Sequence, residues 1–305
     1  MASESELIAA LAAVFKLSDA NVRENVLIGI GDDGAVVAPS SRKSVLAADM
    51  AIEGVHFNRE WSTLGEIGAK ITAANLADIY AMGGEPKYLL VSAGLTADFG
   101  IAQVTELAKG IAEEAALVGA SVVGGDISRA EQLVISISVF GEVENPITRS
   151  GAKVEDSVII SGLPGNSAAG LLQLQSGITE STFVSAHKKP IVNYQMATKF
   201  HGVNAMCDVS DGLLSELNHI ASASGVGIEL DSKLIAEIPG FKELEAATNA
   251  DIWELVLSGG EDHVFVATTS ADIPEGAYVI GKVVSGTGVK VSGISKLPAI
   301  GFRHF

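Results

Sequence analysis

Two hydrophobic periods alternate along the chain, one typical of helices and the other of strands. Helical spacing follows two capping boxes, Ser3-x-x-Glu6 and Thr63-x-x-Glu66, which predict an N-terminal helix and a longer helix to about Met82. Further helices are predicted from Gln103 to about Val118, after Pro164 and after Gly212. Short apolar runs predict buried strands over residues 44–49, 88–93, 121–123, 133–140 and 157–160. This alternation predicts an α/β fold.

The pattern also predicts three finer features. Residues 133–140 are small or apolar at both alternating positions, so this strand is predicted to have two covered faces. Residues 179–190 are predicted to form a polar connector, and residues 281–284 with 289–291 a closing hairpin. The basic, glycine-bearing segment Arg149–Lys153 is interpreted as the join between two domains, which we place at 1–146 and 147–305.

Composition narrows the class of protein. The chain has 305 residues, 48% of them hydrophobic, which is enough for one large or two ordinary domains with a sizeable core. Its net charge of -17 argues against a nucleic-acid or anionic-membrane surface. The single cysteine, Cys207, excludes a disulfide framework and a four-cysteine zinc site. Since no signal segment or long apolar span is visible, we expect a cytoplasmic protein.

The segment Gly29-Ile30-Gly31-Asp32-Asp33-Gly34 matches a dinucleotide-binding fingerprint, but its context argues against that interpretation. The fingerprint requires a helix whose N-terminus faces a pyrophosphate, whereas the next residues include two valines and then Pro39. Two adjacent carboxylates would also lie where the negative phosphate belongs. We interpret the segment as a tight glycine turn that presents two acids to water or to a cation.

Acid-bearing turns of this kind recur along the chain. Each follows an apolar strand and a small residue: Gly31-Asp32-Asp33, Gly125-Asp126, Asp208-x-x-Asp211 and Gly260-Glu261-Asp262. Acids at strand ends can converge on one cleft, and carboxylate oxygens suit hard cations such as magnesium. No Walker A motif occurs, so a phosphate-handling enzyme built on this chain would rely on metal ions.

Other acids and a histidine could join these turns, although each has a simpler explanation. Asp49 is predicted to end a strand, where an ordinary turn bond would account for it. Asn75 and Asp78 lie on the apolar face of the second helix, either as ligands or as partners in a helix-to-loop hydrogen bond. His56 could be a ligand or a surface histidine, and Ser210 with Asp211 could simply cap a helix.

Taken in order, the motifs resemble those of the thiamine-monophosphate kinase family. The resemblance runs from about Leu27 to the C-terminus and rests on GIGDD, Asp49, Gly54-x-His56-Phe57, Asn75-Leu76-x-Asp78, Gly124-Gly125-Asp126, Thr148-Arg149-Ser150-Gly151, Asp208-x-Ser210-Asp211-Gly212 and Ser258-Gly259-Gly260-Glu261-Asp262. It implies a two-domain aminoimidazole ribonucleotide synthetase-like fold. The N-terminal sheet would pair across a homodimer, and a C-terminal α/β domain would complete the site.

The resemblance also implies roles for individual residues. Magnesium ligands would be Asp33, Asp49, Asp78, Asp126, Asp208 and Asp211, of which Asp33, Asp208 and Asp211 would be central to catalysis. ATP would contact Gly125, Arg149 and Ser210. Thiamine monophosphate would contact His56, Glu261 and Phe302. The implied reaction is the ATP-dependent phosphorylation of thiamine monophosphate to thiamine diphosphate, assisted by several magnesium ions.

The chain departs from the family pattern at several of these positions. Ala47 and Ala48 stand where hydroxyl residues often precede the strand acid, and Met50 replaces a usual threonine. His263 stands where tyrosine usually follows Glu-Asp, and Phe302 can stack on a ring but cannot donate a hydroxyl bond.

Two other functions stay open. The first is another reaction of the superfamily, such as aminoimidazole ribonucleotide synthesis. Selenophosphate synthesis and hydrogenase maturation are disfavoured, because the chain lacks a cysteine near its N-terminus and at its C-terminus. The second is a non-catalytic, metal-binding interaction protein, which would bind calcium or magnesium without turning over ATP.

Overall fold

The computed structural model describes residues 3–16, 24–30, 34–294 and 297–298 of the chain. It divides the chain into two compact units. The first contains residues 1–79 and 84–144, and the second contains residues 80–83 and 145–305. Both units combine helices with a sheet, so the predicted α/β architecture is confirmed.

A four-stranded sheet organises the first unit. Its elements in chain order are α1 (Glu4–Val14), β1 (Val26–Ile28), β2 (Val36–Val37), β3 (Lys43–Ile52), α2 (Leu64–Ala81), β4 (Glu85–Leu95), α3 (Ile101–Ala116), β5 (Ser121–Arg129) and β6 (Val134–Val143). The sheet order is β3-β6-β4-β5, with β4 and β5 parallel and the other neighbours antiparallel. Strands β1 and β2 form a separate antiparallel pair.

The two capping boxes form as predicted. At α1, the Ser3 hydroxyl accepts the backbone N–H of Glu6, and the Glu6 carboxylate accepts the backbone N–H of Ser3. The same reciprocal pair joins Thr63 and Glu66 before α2. These bonds satisfy backbone donors that the first helical turn leaves unpaired, so local sequence determines where both helices begin.

The sheet of the first unit has one buried and one exposed face. Ile135, Ile137 and Val139 are buried, whereas the alternate face carries Leu46 and Met50, which are 60% and 56% exposed. The expectation of two covered faces for residues 133–140 is therefore wrong within one chain. Small serines on the open face had made both alternating sets look compatible with burial.

A six-stranded sheet organises the second unit. Its elements are β7 (Ser157–Ile160), α4 (Asn166–Gln175), α5 (Thr182–Lys188), α6 (Tyr194–Lys199), β8 (Ala205–Asp208), α7 (Leu213–Ser224), β9 (Gly227–Asp231), α8 (Ser232–Ala236), α9 (Phe241–Glu245), α10 (Ile252–Ser258), β10 (Phe265–Thr269), β11 (Tyr278–Val284) and β12 (Gly288–Ser292). The sheet order is β12-β9-β11-β7-β10-β8. Its core is one continuous apolar cluster that includes Ile160, Val209 and Leu217.

Two predictions about the second unit are wrong. The final strands do not form a hairpin, because β11 pairs antiparallel with one side of β9 and β12 pairs parallel with the other. The supposed connector at residues 179–190 contains α5, which Ser181 caps by accepting the backbone N–H of Val184. In both places a pairing partner or a cap decided the structure, and hydrophobic periodicity did not reveal it.

No helix in the part of the chain that the structure describes is both long enough and apolar enough to cross a membrane.

Candidate active site

In the second unit, two of the acid-bearing segments lie side by side. Asp208 ends β8 opposite Phe265 of β10, so the chain leaves the sheet at residues 208–212 next to residues 258–263. The backbone N–H of Glu261 donates to Ser210 O at 2.8 Å, and that of His263 donates to Val209 O at 3.2 Å. A Cβ on Gly260 would lie 2.2 Å from Ser210 O, so only glycine allows this approach. The third and fourth turns therefore form one site.

Three consecutive side chains, Glu261, Asp262 and His263, tie this site to three different elements. Glu261 Oε2 lies 3.7 Å from Nδ1 of the buried His187 on α5. His263 Nδ1 donates to Oδ2 of the buried Asp208 at 2.9 Å. Glu261 and His263 have φ of 65° and 51°, a region that side chains other than glycine seldom occupy. Such strain is retained where the surroundings fix it, which is common at functional sites.

Asp262 caps helix α4 from a distant part of the sequence. Its carboxylate accepts the backbone N–H groups of Gly165 at 2.7 Å and Ser167 at 3.0 Å. Gly165, at the N-cap position, has no side chain that could do this. The prediction that residues 164–167 begin a helix is correct, but the cap comes from residue 262.

The pKa of Asp262 gives a pH-dependent prediction. Burial raises this pKa from 3.8 to about 6, although the backbone donors of Gly165 and Ser167 oppose the shift. The native state therefore holds a proton that the unfolded chain has lost, and the stability from this group falls as pH rises from about 4 through about 6. Relative to the non-titrating variant Asp262→Asn, the free energy of unfolding of the unmodified protein should fall by about 2 kcal/mol between pH 4 and pH 7.

Urea denaturation of both proteins at several pH values measures this difference. Because the unmodified protein and the variant share every other titrating group, the difference between their free energies of unfolding removes the pH dependence that those groups contribute. A difference that stays constant from pH 4 to 7 would show that the hydrogen bonds to Asp262 cancel the effect of its burial.

Arg149, which precedes the first strand of the second unit, is held against helix α7. Its guanidinium Nη2 lies 3.5 Å from Glu216 Oε2, and its backbone carbonyl accepts a hydrogen bond from the Ser224 hydroxyl at 3.2 Å. Burial raises the pKa of Glu216, and the nearby Asp208 and Asp211 raise it further, whereas Arg149 lowers it. Arg149 therefore lies beside the acidic end of β8.

The capping explanation for Ser210 and Asp211 does not hold. Helix α7 begins at Leu213, its N-cap is Gly212, and no side chain supplies a cap hydrogen bond there. Gly212 has φ of 111°, and a Cβ on it would lie 2.7 Å from Ser258 O. Both polar side chains are half-buried beside the segment at 258–263. Ser210 and Asp211 therefore lie at the site but do not cap helix α7.

In the first unit, the structure joins Asp49 to helix α2. The Asn75 carboxamide accepts the backbone N–H of Asp49 at 3.0 Å through Oδ1 and donates to Ile71 O at 2.9 Å through Nδ2. The hydrogen-bond explanation for Asn75 is therefore correct, although its partner is a strand rather than a loop. Asp78 follows one turn later on the same side of α2 and is half-buried. The backbone of Asp49 is thus tied to α2 one helical turn from Asp78.

One predicted acid turn of the first unit, Gly125-Asp126, is part of a strand, and the strand predicted to end at Asp49 is longer than expected. Asp49 lies within β3, which continues to Ile52, and Asp126 lies within β5, which continues to Arg129. The register of β5 against β4 shifts between Val122 and Gly124, which leaves Val123 as a bulge. Glycines in the sequence had suggested a turn, but here they mark the bulge.

Gly125 permits the close approach of β5 to β4. Its φ is 157°, and a Cβ on it would lie 1.9 Å from Val91 O. We expect Gly125→Ala to lower the free energy of unfolding by at least about 2 kcal/mol, because the backbone of one strand must move. Gly162→Ala is the matched control, since the nearest atom to its Cβ is Val264 Cγ1 at 3.6 Å. Denaturation curves in urea measure both; equal stability of the two variants would contradict the assigned strand contact.

Asp49 and Asp126 lie on opposite edges of the same sheet. Strands β6 and β4 separate β3 from β5, and three strand spacings amount to about 14 Å. The pairing also puts them on different faces, because Asp126 aligns with Ser92 and Ser136, whereas Asp49 aligns with Ile137. Since ligands bind magnesium at about 2 Å, these two carboxylates of one chain cannot share an ion.

A cavity of about 660 Å³ lies beside the β5 edge within the first unit. Its wall is mostly apolar, with Leu11 and Phe15 from α1 and Leu107 and Ile111 from α3. The segment Gly124-Gly125-Asp126 lines the same cavity. This combination is typical of a small-molecule site, in which apolar walls hold a ring and a few polar groups orient it.

His56 lies in a short loop that follows β3. Its ring Nδ1 accepts a hydrogen bond from the backbone N–H of Ile52 at 3.1 Å, and the backbone N–H of His56 donates to Ile52 O at 3.0 Å. Arg59 closes the loop by binding Glu53 Oε1 and Asp98 Oδ2, both at 2.7 Å. Because Nδ1 accepts a hydrogen bond, the ring proton of neutral His56 lies on Nε2.

Two predicted site residues, Asp33 and Phe302, lie outside the described residues. Among the residues that are described, no group of three or more His, Cys, Asp or Glu side chains could hold a metal ion. The metal ligands predicted from the sequence therefore do not form a complete site within the described part of one chain.

Two residues at the site were missed in the sequence. His187 lies in the segment interpreted as a connector, and Glu216 lies on the polar side of an ordinary helical pattern. Nothing in hydrophobic periodicity marks either one. Glu216 is buried in the folded chain and faces Arg149, which lies more than 60 residues earlier in the sequence, so local sequence could not predict this contact.

Comparison with known proteins follows the same division of the chain. Residues 31–143 match the family of AIR synthase related proteins, N-terminal domain, and residues 153–294 match the corresponding C-terminal domain. A thiamine-monophosphate kinase of Mycobacterium tuberculosis is 39% identical over 269 residues, which are 86% of this chain and 80% of that protein. Another from Aquifex aeolicus is 34% identical over 289 residues, 90% and 92% of the two chains.

Solved structures extend the similarity to the whole fold. The structure described as AaThiL complexed with AMPPCP and TMP superimposes with a TM-score of 0.80 at 32% identity. The match covers 99% of this chain and 97% of that one. The relatives therefore share the fold of both units.

Proposed function

The chain is an enzyme of the thiamine-monophosphate kinase family, and on that premise we propose that it transfers the γ-phosphoryl group of ATP to thiamine monophosphate. An oxygen of the acceptor phosphate attacks the γ-phosphorus, and the bond to the β–γ bridging oxygen breaks. The products are thiamine diphosphate and ADP. The acceptor oxygen is already anionic near neutral pH, so the reaction requires alignment and charge neutralisation more than a strong base.

The observation that carries this proposal is the convergence of polar groups at the carboxyl end of β8. The segments 208–212 and 258–263 are joined by backbone hydrogen bonds, and Arg149 lies nearby against Glu216 of helix α7. Two of the three groups predicted to contact ATP, Arg149 and Ser210, belong to this arrangement, as does Glu261, predicted to contact the thiamine phosphate. A cation beside fixed acids is suited to hold one phosphate while the acids bind metal.

The nucleotide ring fits the apolar cavity of the first unit. The cavity has the volume and lining of a small-molecule site, and Gly125 and Asp126 lie in its wall. With the ring against α1 and α3, the phosphates would leave toward Asp126.

The donor chemistry of the acids fits magnesium. Asp208 and Asp211 are close enough to Glu216 to raise its pKa, so negative charge accumulates around them. Carboxylate oxygens are the ligands that hard cations prefer, and Asp33, Asp49, Asp78, Asp126, Asp208 and Asp211 would hold the ions together with phosphate oxygens. Magnesium would neutralise charge on the transferring phosphoryl group. Asp208 is kept in position for this role by His263.

We also propose that the enzyme is a homodimer whose N-terminal sheets meet. The open face of the sheet exposes Leu46, Met50 and Phe140, and such a contiguous apolar surface is typical of an interface. The long edge strands β3 and β5 would also be protected by a second chain. A partner could bring its own Asp49 toward Asp126 of the first chain, which one sheet cannot do. A cytoplasmic location agrees with a reaction that uses ATP.

Incubation with ATP, magnesium and thiamine monophosphate tests the function. We expect mass spectrometry to detect thiamine diphosphate, and we expect chelation by EDTA to stop its formation until magnesium is restored in excess. Magnesium-independent product formation would refute the metal assignment alone. Turnover only with a purine precursor would favour the ring-closing reaction, and metal binding without ATP turnover would favour an interaction protein.

A further inference from the structure

Glu216 is a deeply buried carboxylate near the site. Neither the sequence analysis nor the family resemblance assigns it a function. Its side chain is 1% exposed, and Oε2 receives no hydrogen bond among the described residues. The Arg149 guanidinium Nη2 lies 3.5 Å from this oxygen, and the His219 imidazole Nδ1 lies 3.4 Å from it. A buried, ionised carboxylate is costly unless a cation compensates it. Glu216 thus has a strong electrostatic requirement for a neighbouring positive charge.

Helix α7 holds the Arg149 segment at two points. The Ser224 hydroxyl accepts the backbone N–H groups of Gly151 and Ala152, both at 3.1 Å, and donates to Arg149 O at 3.2 Å. Glu216, two turns earlier on the same helix, holds the guanidinium. The backbone and the charged end of Arg149 are therefore both fixed to one rigid element.

Arg149 itself remains accessible. Its side chain is 53% exposed, although Glu216 beneath it is almost fully buried. A guanidinium has five donors, so contact with one carboxylate leaves donors for a phosphate. An arginine that contacts a buried carboxylate and is also exposed to solvent is pre-organised for an anionic ligand, and pre-organisation lowers the entropic cost of binding.

We propose that Glu216 is a positioning residue that holds Arg149 in the orientation in which it binds the phosphates of ATP. This inference rests on the proposed function only in taking ATP as the ligand of Arg149. Ser224 fixes the backbone of the segment, and Glu216 fixes the direction of the side chain. His219 also lies near Oε2, but it is on α7 itself, one turn from Glu216, so it does not join the helix to the Arg149 segment.

Calorimetric titration with β,γ-methylene-ATP, without thiamine monophosphate, tests the inference. We expect Glu216→Gln to weaken binding roughly tenfold through loss of the ion pair that orients Arg149. We expect Arg149→Met to weaken it roughly 30-fold through loss of charge-assisted hydrogen bonds to phosphate. The double variant should bind within twofold of Arg149→Met, since Glu216 acts through Arg149. Glu254→Gln, an exposed substitution of the same kind on α10, should bind within twofold of the unmodified chain.

The alternatives give different results. If the loss from Glu216→Gln persists in the Arg149→Met background, Glu216 acts through general structure and the inference is wrong. If His219→Gln reproduces the loss, the histidine is the relevant partner, and the inference is again wrong. Should Glu216→Gln fail to fold, Glu216→Asp replaces it, with an expected loss of about threefold because the shorter side chain withdraws from the guanidinium.

These measurements also separate the inference from the proposed function. A chain that binds the nucleotide but forms no thiamine diphosphate would refute the kinase reaction and leave the role of Glu216 to be decided by the titrations. A chain that binds no nucleotide would overturn both.

Discussion

Replacement of Asp208 by asparagine is expected to lower kcat by about 10²- to 10⁴-fold while leaving the protein folded. Asp208 lies at the end of β8 and would supply a metal ligand at the point where two phosphates meet. Removing its charge removes several kcal/mol of charge stabilisation from the transition state, and each 1.4 kcal/mol corresponds to about a factor of ten in rate. The asparagine can still accept the hydrogen bond from His263 Nδ1, so the local packing should survive.

The measurement is kcat by product formation, together with thermal unfolding of each variant. Asp272→Asn is the matched control, since Asp272 is exposed in a loop. We expect that control to retain kcat within about twofold, as surface substitutions usually do. Near-normal turnover by Asp208→Asn would refute its assignment as a ligand, whereas unfolding of that variant would show a structural requirement instead.

The second large effect is expected from mixing two inactive variants. If Asp49 of one chain and Asp126 of another complete a site, Asp49→Asn and Asp126→Asn should each form inactive homodimers. A mixed dimer would then contain one site with both aspartates and one site with neither. After dissociation and random reassociation, half of the dimers are mixed, so about a quarter of the unmodified activity should return.

The outcome distinguishes a shared site from a site within one chain. No recovery after verified subunit exchange would mean that both aspartates act within the same chain or at separate steps. Full exchange should be confirmed by mass spectrometry of the intact dimers. A protein that is monomeric at the assay concentration would contradict the dimer directly.

Local sequence was sufficient to predict a helix or strand where the residues of that element determine its boundaries. The capping boxes at Ser3 and Thr63 and the apolar run at residues 157–160 needed no partner, and all three predictions are confirmed. By contrast, the glycines at 124 and 125 looked like a turn because their partner, β4, lies about 30 residues away in the sequence. Long-range pairing turned that segment into a bulged strand.

The site could be predicted in part for the same reason. Motif order identified Asp208, Ser210 and Glu261, which the structure brings together through backbone hydrogen bonds. It could not identify His187 or Glu216, because their positions depend on how α5 and α7 pack against the loops. The capping of α4 by Asp262 illustrates the limit, since cap and helix are almost 100 residues apart.

The fate of the γ-phosphate of ATP tests the central claim most directly. With ATP labelled at the γ-phosphorus, magnesium and thiamine monophosphate, we predict that the label appears in the terminal phosphate of thiamine diphosphate, in equal amount to the ADP formed. A ring-closing reaction of the superfamily would instead release the label as inorganic phosphate. Label found only in inorganic phosphate, with thiamine monophosphate unchanged, would contradict the account.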